Sequence, residues 1–173
     1  MAALILGVVA GVIATFAERA DAALTGGNAT PMGYVNTYTW IIVSACLFGP
    51  LGAIITTETQ AMIGLIAGAN PLSWLWLFIN PVFALGVGIV SLVSSKISKN
   101  PKISIEIILM SVICAILDIP LVYVVIVIAL KLPFIVYLTS LPIYIALQLI
   151  PSTLLSYLII KAINNSGVIS KQQ

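Results

Sequence analysis

The sequence predicts an all-α, polytopic membrane protein: a single bundle of six transmembrane helices with both termini on the cytoplasmic side. Three observations carry this expectation. Of the 173 residues, 61% are hydrophobic and only 7% are charged, with a mean hydropathy of +1.22, whereas soluble domains carry roughly a quarter charged residues. The apolar runs show no strand-length alternation, so the backbone in lipid must be satisfied within helices rather than in a barrel. At about 20 residues per crossing, one domain over residues 1–173 holds at most six or seven helices, with no room for a soluble domain.

Composition also excludes functions. The chain has no histidine, which removes the commonest general base and a frequent metal ligand; neither a metal nor a cofactor is expected. Cys46 and Cys114 lie in apolar runs and read as small buried hydrophobes rather than as a disulfide or a nucleophile. The net charge of +2 comes from loop lysines, with no basic stripe that would suit nucleic acid. No nucleophile stands near a base, and no glycine-rich phosphate loop is present, so the chain does not read as an enzyme.

The elements follow from breakers and hydropathy. The first helix is expected over residues 2–17; it lacks a charged leader and reads as retained rather than cleaved. Its small residues Ala3, Gly7 and Gly11, with Ala10 and Ala14 on the next row, allow close helix approach. Such a row serves either packing within the bundle or docking of a separate subunit, and Gly7, Ala10, Gly11 and Ala14 are the candidate docking residues. The polar stretch from Glu18 to about Asn36 is punctuated by Gly26-Gly27 and Pro31 and reads as a loop. A short helix over 36–48 stops at Gly49-Pro50-Leu51-Gly52, and a third runs over 51–69 until Asn70-Pro71. The fourth covers 72–94, and the fifth covers 103–128 with a kink near Pro120. After Lys131-Leu132-Pro133, an irregular segment precedes a sixth helix over 141–163.

With six crossings, Lys96, Lys99, Lys102, Lys161 and Lys171 fall on one side, and Arg19 and Lys131 on the other. The excess of lysine marks the first side as cytoplasmic.

Polar side chains within a membrane are costly and turn toward a bundle interior or a cavity. At a rise of about 1.5 Å per residue, Asn80, Asp118, Glu58 and Gln148 all lie about 10–17 Å from the outer ends of their helices. Residues four apart share a helix face, so Trp76 stands over Asn80, and Ser140, Tyr144, Gln148, Ser152 and Ser156 form one polar row. That row serves either interhelical hydrogen bonding or a ligand. Glu58 and Asp118 have no basic residue nearby in their apolar runs. They are therefore protonated, open to water, or joined by a cation. The candidate substrate-binding set is Glu58, Trp76, Asn80, Asp118, Tyr144, Gln148 and Ser152.

The order of features resembles the substrate-binding S components of energy-coupling-factor (ECF) vitamin transporters. The resemblance rests on the small-residue first helix with Ala10 and Ala14, a long outer loop, and the turn Phe48-Gly49-Pro50-Leu51-Gly52. It continues through Asn70-Pro71 to the closing Leu149-Ile150-Pro151-Ser152-Thr153-Leu154-Leu155. The segment from Tyr38 to Ser44, with Glu58 and Asn70-Pro71, is most similar to the thiamine or hydroxymethylpyrimidine type. The resemblance implies capture of a vitamin or precursor from outside. Its implied partners are a transmembrane coupling subunit and two cytoplasmic ATPase subunits, with the lipid bilayer around the chain. The alternative is a small structural or assembly subunit of a larger membrane complex, with no ligand of its own.

Overall fold

The computed structural model describes residues 1–25, 30–69, 73–97 and 103–166. Asn70-Pro71, Lys99, Lys102 and Lys171 lie outside the described residues. Every element among the described residues is helical: α1 (Ala2–Thr25), α2 (Pro31–Ile66), α3 (Ser73–Ile97), α4 (Ile103–Tyr123), α5 (Phe134–Leu147) and α6 (Thr153–Asn165). Two π-helical turns, Val124–Ala129 and Gln148–Ser152, extend α4 and join α5 to α6. Among the described residues, five helices are long and apolar enough to cross a membrane, namely Ala2–Thr25, Pro31–Ile66, Ser73–Ser94, Ser104–Ala129 and Phe134–Asn165.

The second of these is not one straight rod. Gly49 has φ 69° and ψ −165°, a conformation open essentially to glycine, and Pro50 follows it without a backbone donor. The two arms then pack on α1 in opposite senses. In the first arm, Asn36 donates to the Ala10 carbonyl, and Gly33 lies against Glu18. In the second, Thr56 donates to the Ala3 carbonyl, while Gly7 and Gly11 lie against Thr59 and Ile63. The arms therefore run antiparallel, and Gln60 bridges back to Thr37 across 23 residues of chain.

The small residues explain how closely these elements approach. A Cβ on Gly7 would lie 2.6 Å from the Thr59 Cβ and 2.7 Å from the Thr56 carbonyl oxygen. A Cβ on Gly88 would lie 2.7 Å from the Pro50 Cα, so α3 is seated on the turn. Lipid tails are as apolar as leucine, so packing and hydrogen bonds, rather than burial from water, hold such a bundle together. The main core gathers Tyr38, Ile41 and Ile42 of α2 with Phe83 and Val87 of α3, Ile107, Met110 and Cys114 of α4, and Ile160 of α6. Val8, Val9, Val12, Ile13 and Phe16 of α1 remain exposed, as a lipid-facing stripe should.

Several helix limits differ from expectation. α1 continues to Thr25 and α2 begins at Pro31, so most of the stretch read as a loop is helical. Pro31 is compatible with a helix start because the first helical N–H has no partner in any case. Asp21 completes that start from the neighbouring helix: its carboxylate accepts the backbone N–H groups of Met32 at 3.1 Å and Gly33 at 2.8 Å. The segment before Leu141 is helical too: α5 starts at Phe134 and runs on through Pro142.

At Pro151 the freed backbone is satisfied locally. Pro151 cannot donate to the Leu147 carbonyl; the chain widens into a π turn, and the Ser152 hydroxyl donates to that carbonyl at 3.0 Å. Beyond Pro120 the helix passes into the other π turn; separately, the Tyr137 hydroxyl of α5 donates to the Ile119 carbonyl and ties α5 to α4.

Candidate functional site

The polar side chains form two groups on different faces of the first arm of α2. The first group surrounds a small, partly open hollow, lined by Ala14 and Glu18 of α1, Thr37, Gln60, Ala61 and Gly64 of α2, and Ser73, Trp76 and Asn80 of α3. Ala14 and Gly64 leave room for it. Asn80 is 2% exposed, and its amide nitrogen donates to the Thr57 carbonyl at 3.2 Å. A carbonyl only accepts, so this bond fixes the amide orientation, and Oδ1 is left buried with no partner. Gln60 uses its nitrogen on the Thr37 hydroxyl at 2.7 Å and keeps Oε1 unpartnered. Glu18 Oε2 and Ser73 Oγ are likewise buried without a partner. An unmet buried polar atom costs roughly 1–3 kcal/mol. Four oxygens in this condition around one hollow mark it as a place that a ligand or water completes.

The second group is self-contained. Asp118 is 1% exposed and accepts hydrogen bonds from the hydroxyls of Tyr34 and Tyr38. Tyr144 stacks at a tilt on Tyr34, with ring centroids 4.8 Å apart. The Ser152 hydroxyl, besides bonding Leu147, reaches the Val35 carbonyl at 3.4 Å, and Ser156 reaches the Thr39 carbonyl at 3.3 Å. Thr153 donates to Ser111 at 2.6 Å. The polar row on the last helix is thus largely an interhelical hydrogen-bonding seam. Gln148 departs from this pattern: it is fully buried, and neither side-chain polar atom has a partner.

Of the expected binding residues, Trp76 and Asn80 line the hollow, whereas Asp118, Tyr144, Gln148 and Ser152 belong to the second group or its continuation along the helix. Asp118 has a partner of a kind not anticipated from sequence, a pair of tyrosine hydroxyls instead of a base, a cation or water. Glu58 is part-exposed and does not line the hollow. The expected docking row is turned inward: Gly7, Ala10, Gly11 and Ala14 are all buried, Gly7 and Gly11 against the second arm of α2 and Ala14 on the hollow.

Sequence reasoning missed Glu18, Thr37, Gln60 and Ser73 at the hollow, and Tyr34 and Tyr38 at Asp118. A signal existed for Glu18. The run Glu18–Thr25 contains no glycine or proline and three alanines, which is helical composition. Continuing α1 through it places Glu18 four residues after Ala14, on the face already identified. The chain matches no family model, no curated protein and no solved structure.

Proposed function

We propose that this chain is a membrane-embedded substrate-capture subunit for uptake of a vitamin or vitamin precursor, a thiamine- or hydroxymethylpyrimidine-like ligand. Uptake is energised by a separate transmembrane coupling subunit and two cytoplasmic ATPase subunits. The observation that carries this reading is the hollow between α1, α2 and α3, where four buried oxygens lack partners. The resemblance to ECF S components supplies the partners.

The topology belongs to the same proposal. Six crossings result if the two arms of α2 each traverse the bilayer, at about 25 Å apiece for 17 or 18 residues. The opposite packing of the arms on α1 supports this. It puts both termini, Lys96 and Lys161 on the cytoplasmic side, with Arg19 and Lys131 outside.

Thermal unfolding of the purified protein with a panel of vitamins and precursors tests the capture function. A ligand specific to the folded state raises Tm with its concentration. One member of the panel is expected to do so, and Asn80→Leu to abolish the shift. If no member shifts Tm, the structural-subunit alternative takes its place; the internal satisfaction of Asp118 is the observation that favours that alternative. Co-purification with a coupling subunit and paired ATPases tests the partners.

A further inference from the structure

We propose that the outward face of the second arm of α2 is a docking surface for a transmembrane helix of another subunit, one that is apolar and carries a lysine or arginine near its midpoint. Leu51, Ile55, Glu58, Met62 and Leu65 follow one another at alternating steps of four and three residues, the spacing of a helix–helix seam. The four apolar members are exposed and Glu58 is part-exposed, so no described element covers the seam. The exposed stripe of α1 from Val8 to Phe16 is apolar throughout, as a surface that meets only lipid should be. This one is not. Glu58 lies eight residues from both Pro50 and Ile66, about 12 Å from either end of the arm. Its Oε1 is buried with no hydrogen-bond partner. A charged side chain at such a depth is costly against lipid and marks a contact with other polar groups.

Nothing in the chain supplies the missing charge. No lysine or arginine stands between residues 20 and 95. Arg19 reaches the arm only at its end, where its guanidinium donates to the Ala67 carbonyl at 3.1 Å. The other described basic residues, Lys96, Lys131 and Lys161, stand near helix ends. A second copy of the chain therefore brings no cation to this depth and would set Glu58 against apolar side chains or another Glu58. Lipid headgroups lie at the bilayer surfaces, outside the hydrocarbon core. A basic helix of a different subunit meets both parts of the seam. Its apolar side chains pack on Leu51, Ile55, Met62 and Leu65, and its charge pairs with Glu58 where no water competes. The small-residue row of α1 is closed to such a partner, because Gly7 and Gly11 already lie against Thr59 and Ile63 of the same arm. A partner of this kind suits the coupling subunit and the larger complex of the alternative equally, so ligand capture at the hollow can fail without touching this surface.

The test is energy transfer in phosphatidylcholine vesicles, from a donor dye on the protein to acceptor-labelled leucine helices of about 20 residues. The dye sits on Lys131→Cys in a background with Cys46→Ala and Cys114→Ala. The helices carry lysine, leucine or glutamate at the midpoint. The lysine helix is expected to give saturable transfer, and the other two no more than random mixing. Glu58→Gln, checked for an unaltered Tm, is expected to weaken the lysine helix about tenfold or more, as loss of one partner of a desolvated charge pair should. Glu58→Lys is expected to reverse the preference toward the glutamate helix, a gain that a misfolded variant could not give. Equal transfer to the leucine helix, binding of the lysine helix that ignores Glu58→Gln, or no binding of the lysine helix overturns the proposal. Self-association of donor- and acceptor-labelled copies that Glu58→Gln abolishes also overturns it, and assigns the seam to a second copy.

Discussion

At Asp118 a carboxylate in an apolar run is made tolerable by two phenols. Tyr34 and Tyr38 stand four residues apart, on one face of α2, and both donate to it. Removing the acceptor strands two buried hydroxyls, each worth roughly 1–3 kcal/mol when unmet. Asp118→Ala is therefore expected to destabilise the protein by about 2–4 kcal/mol in denaturant unfolding. Asp118→Asn, which retains one acceptor oxygen, is expected to cost less. Gln148 gives the opposite expectation. Its amide makes no hydrogen bond, so Gln148→Leu is expected to leave stability unchanged or raise it, and a loss above about 1 kcal/mol would show that the amide has a bonded partner such as an internal water. Neither outcome was legible from sequence. The Tyr34–Asp118 contact joins residues 84 apart, and Tyr34 lay in a stretch that glycine and proline made look like a loop.

Among the elements, α2 depends most on a single residue. Gly49, at φ 69°, reverses the chain so that both arms pack on α1. Any side chain there meets backbone strain of order 1–3 kcal/mol, so Gly49→Ala is expected to lower the unfolding midpoint while leaving helical circular dichroism nearly unchanged. An unchanged midpoint would mean that the turn tolerates a different geometry. The Gly-Pro turn itself could be read from the chain, because its chemistry is local. The helix limits could not. Glycine and proline end helices where water can satisfy the freed backbone, but in a bundle, π turns and hydroxyls such as Ser152 satisfy it instead, and Asp21 caps α2 from another helix. The face arguments fared unevenly for the same reason. Trp76 and Asn80 share the hollow because they share one regular helix, whereas Gln148 and Ser152 sit across a π turn that shifts the register of any i, i+4 row.

For the whole molecule, helical class and helices apolar enough to cross a membrane were legible from the sequence, since 7% charge and apolar runs without strand-length alternation point to helices in lipid. The site was legible only in part, because a hollow between three helices depends on which faces meet, and Glu18 enters it only once α1 is known to reach Thr25. The proposed topology has a direct check. In a background with Cys46→Ala and Cys114→Ala, single cysteines at Lys96 and Lys131 are expected to react with an impermeant thiol reagent from opposite sides of the membrane, and a tag at either terminus is expected on the side of Lys96. Reaction of both cysteines from one side would remove a crossing and the shared location of the termini.

The most direct measurement concerns Trp76, which lines the hollow. With Trp40→Phe and Trp74→Phe, it is the sole indole. Titration with the ligand that raises Tm is expected to change its fluorescence saturably, at the concentrations that stabilise the protein, and Asn80→Leu is expected to abolish the change. A ligand that stabilises the protein yet leaves Trp76 emission untouched, or a response that survives Asn80→Leu, would contradict a binding site between α1, α2 and α3.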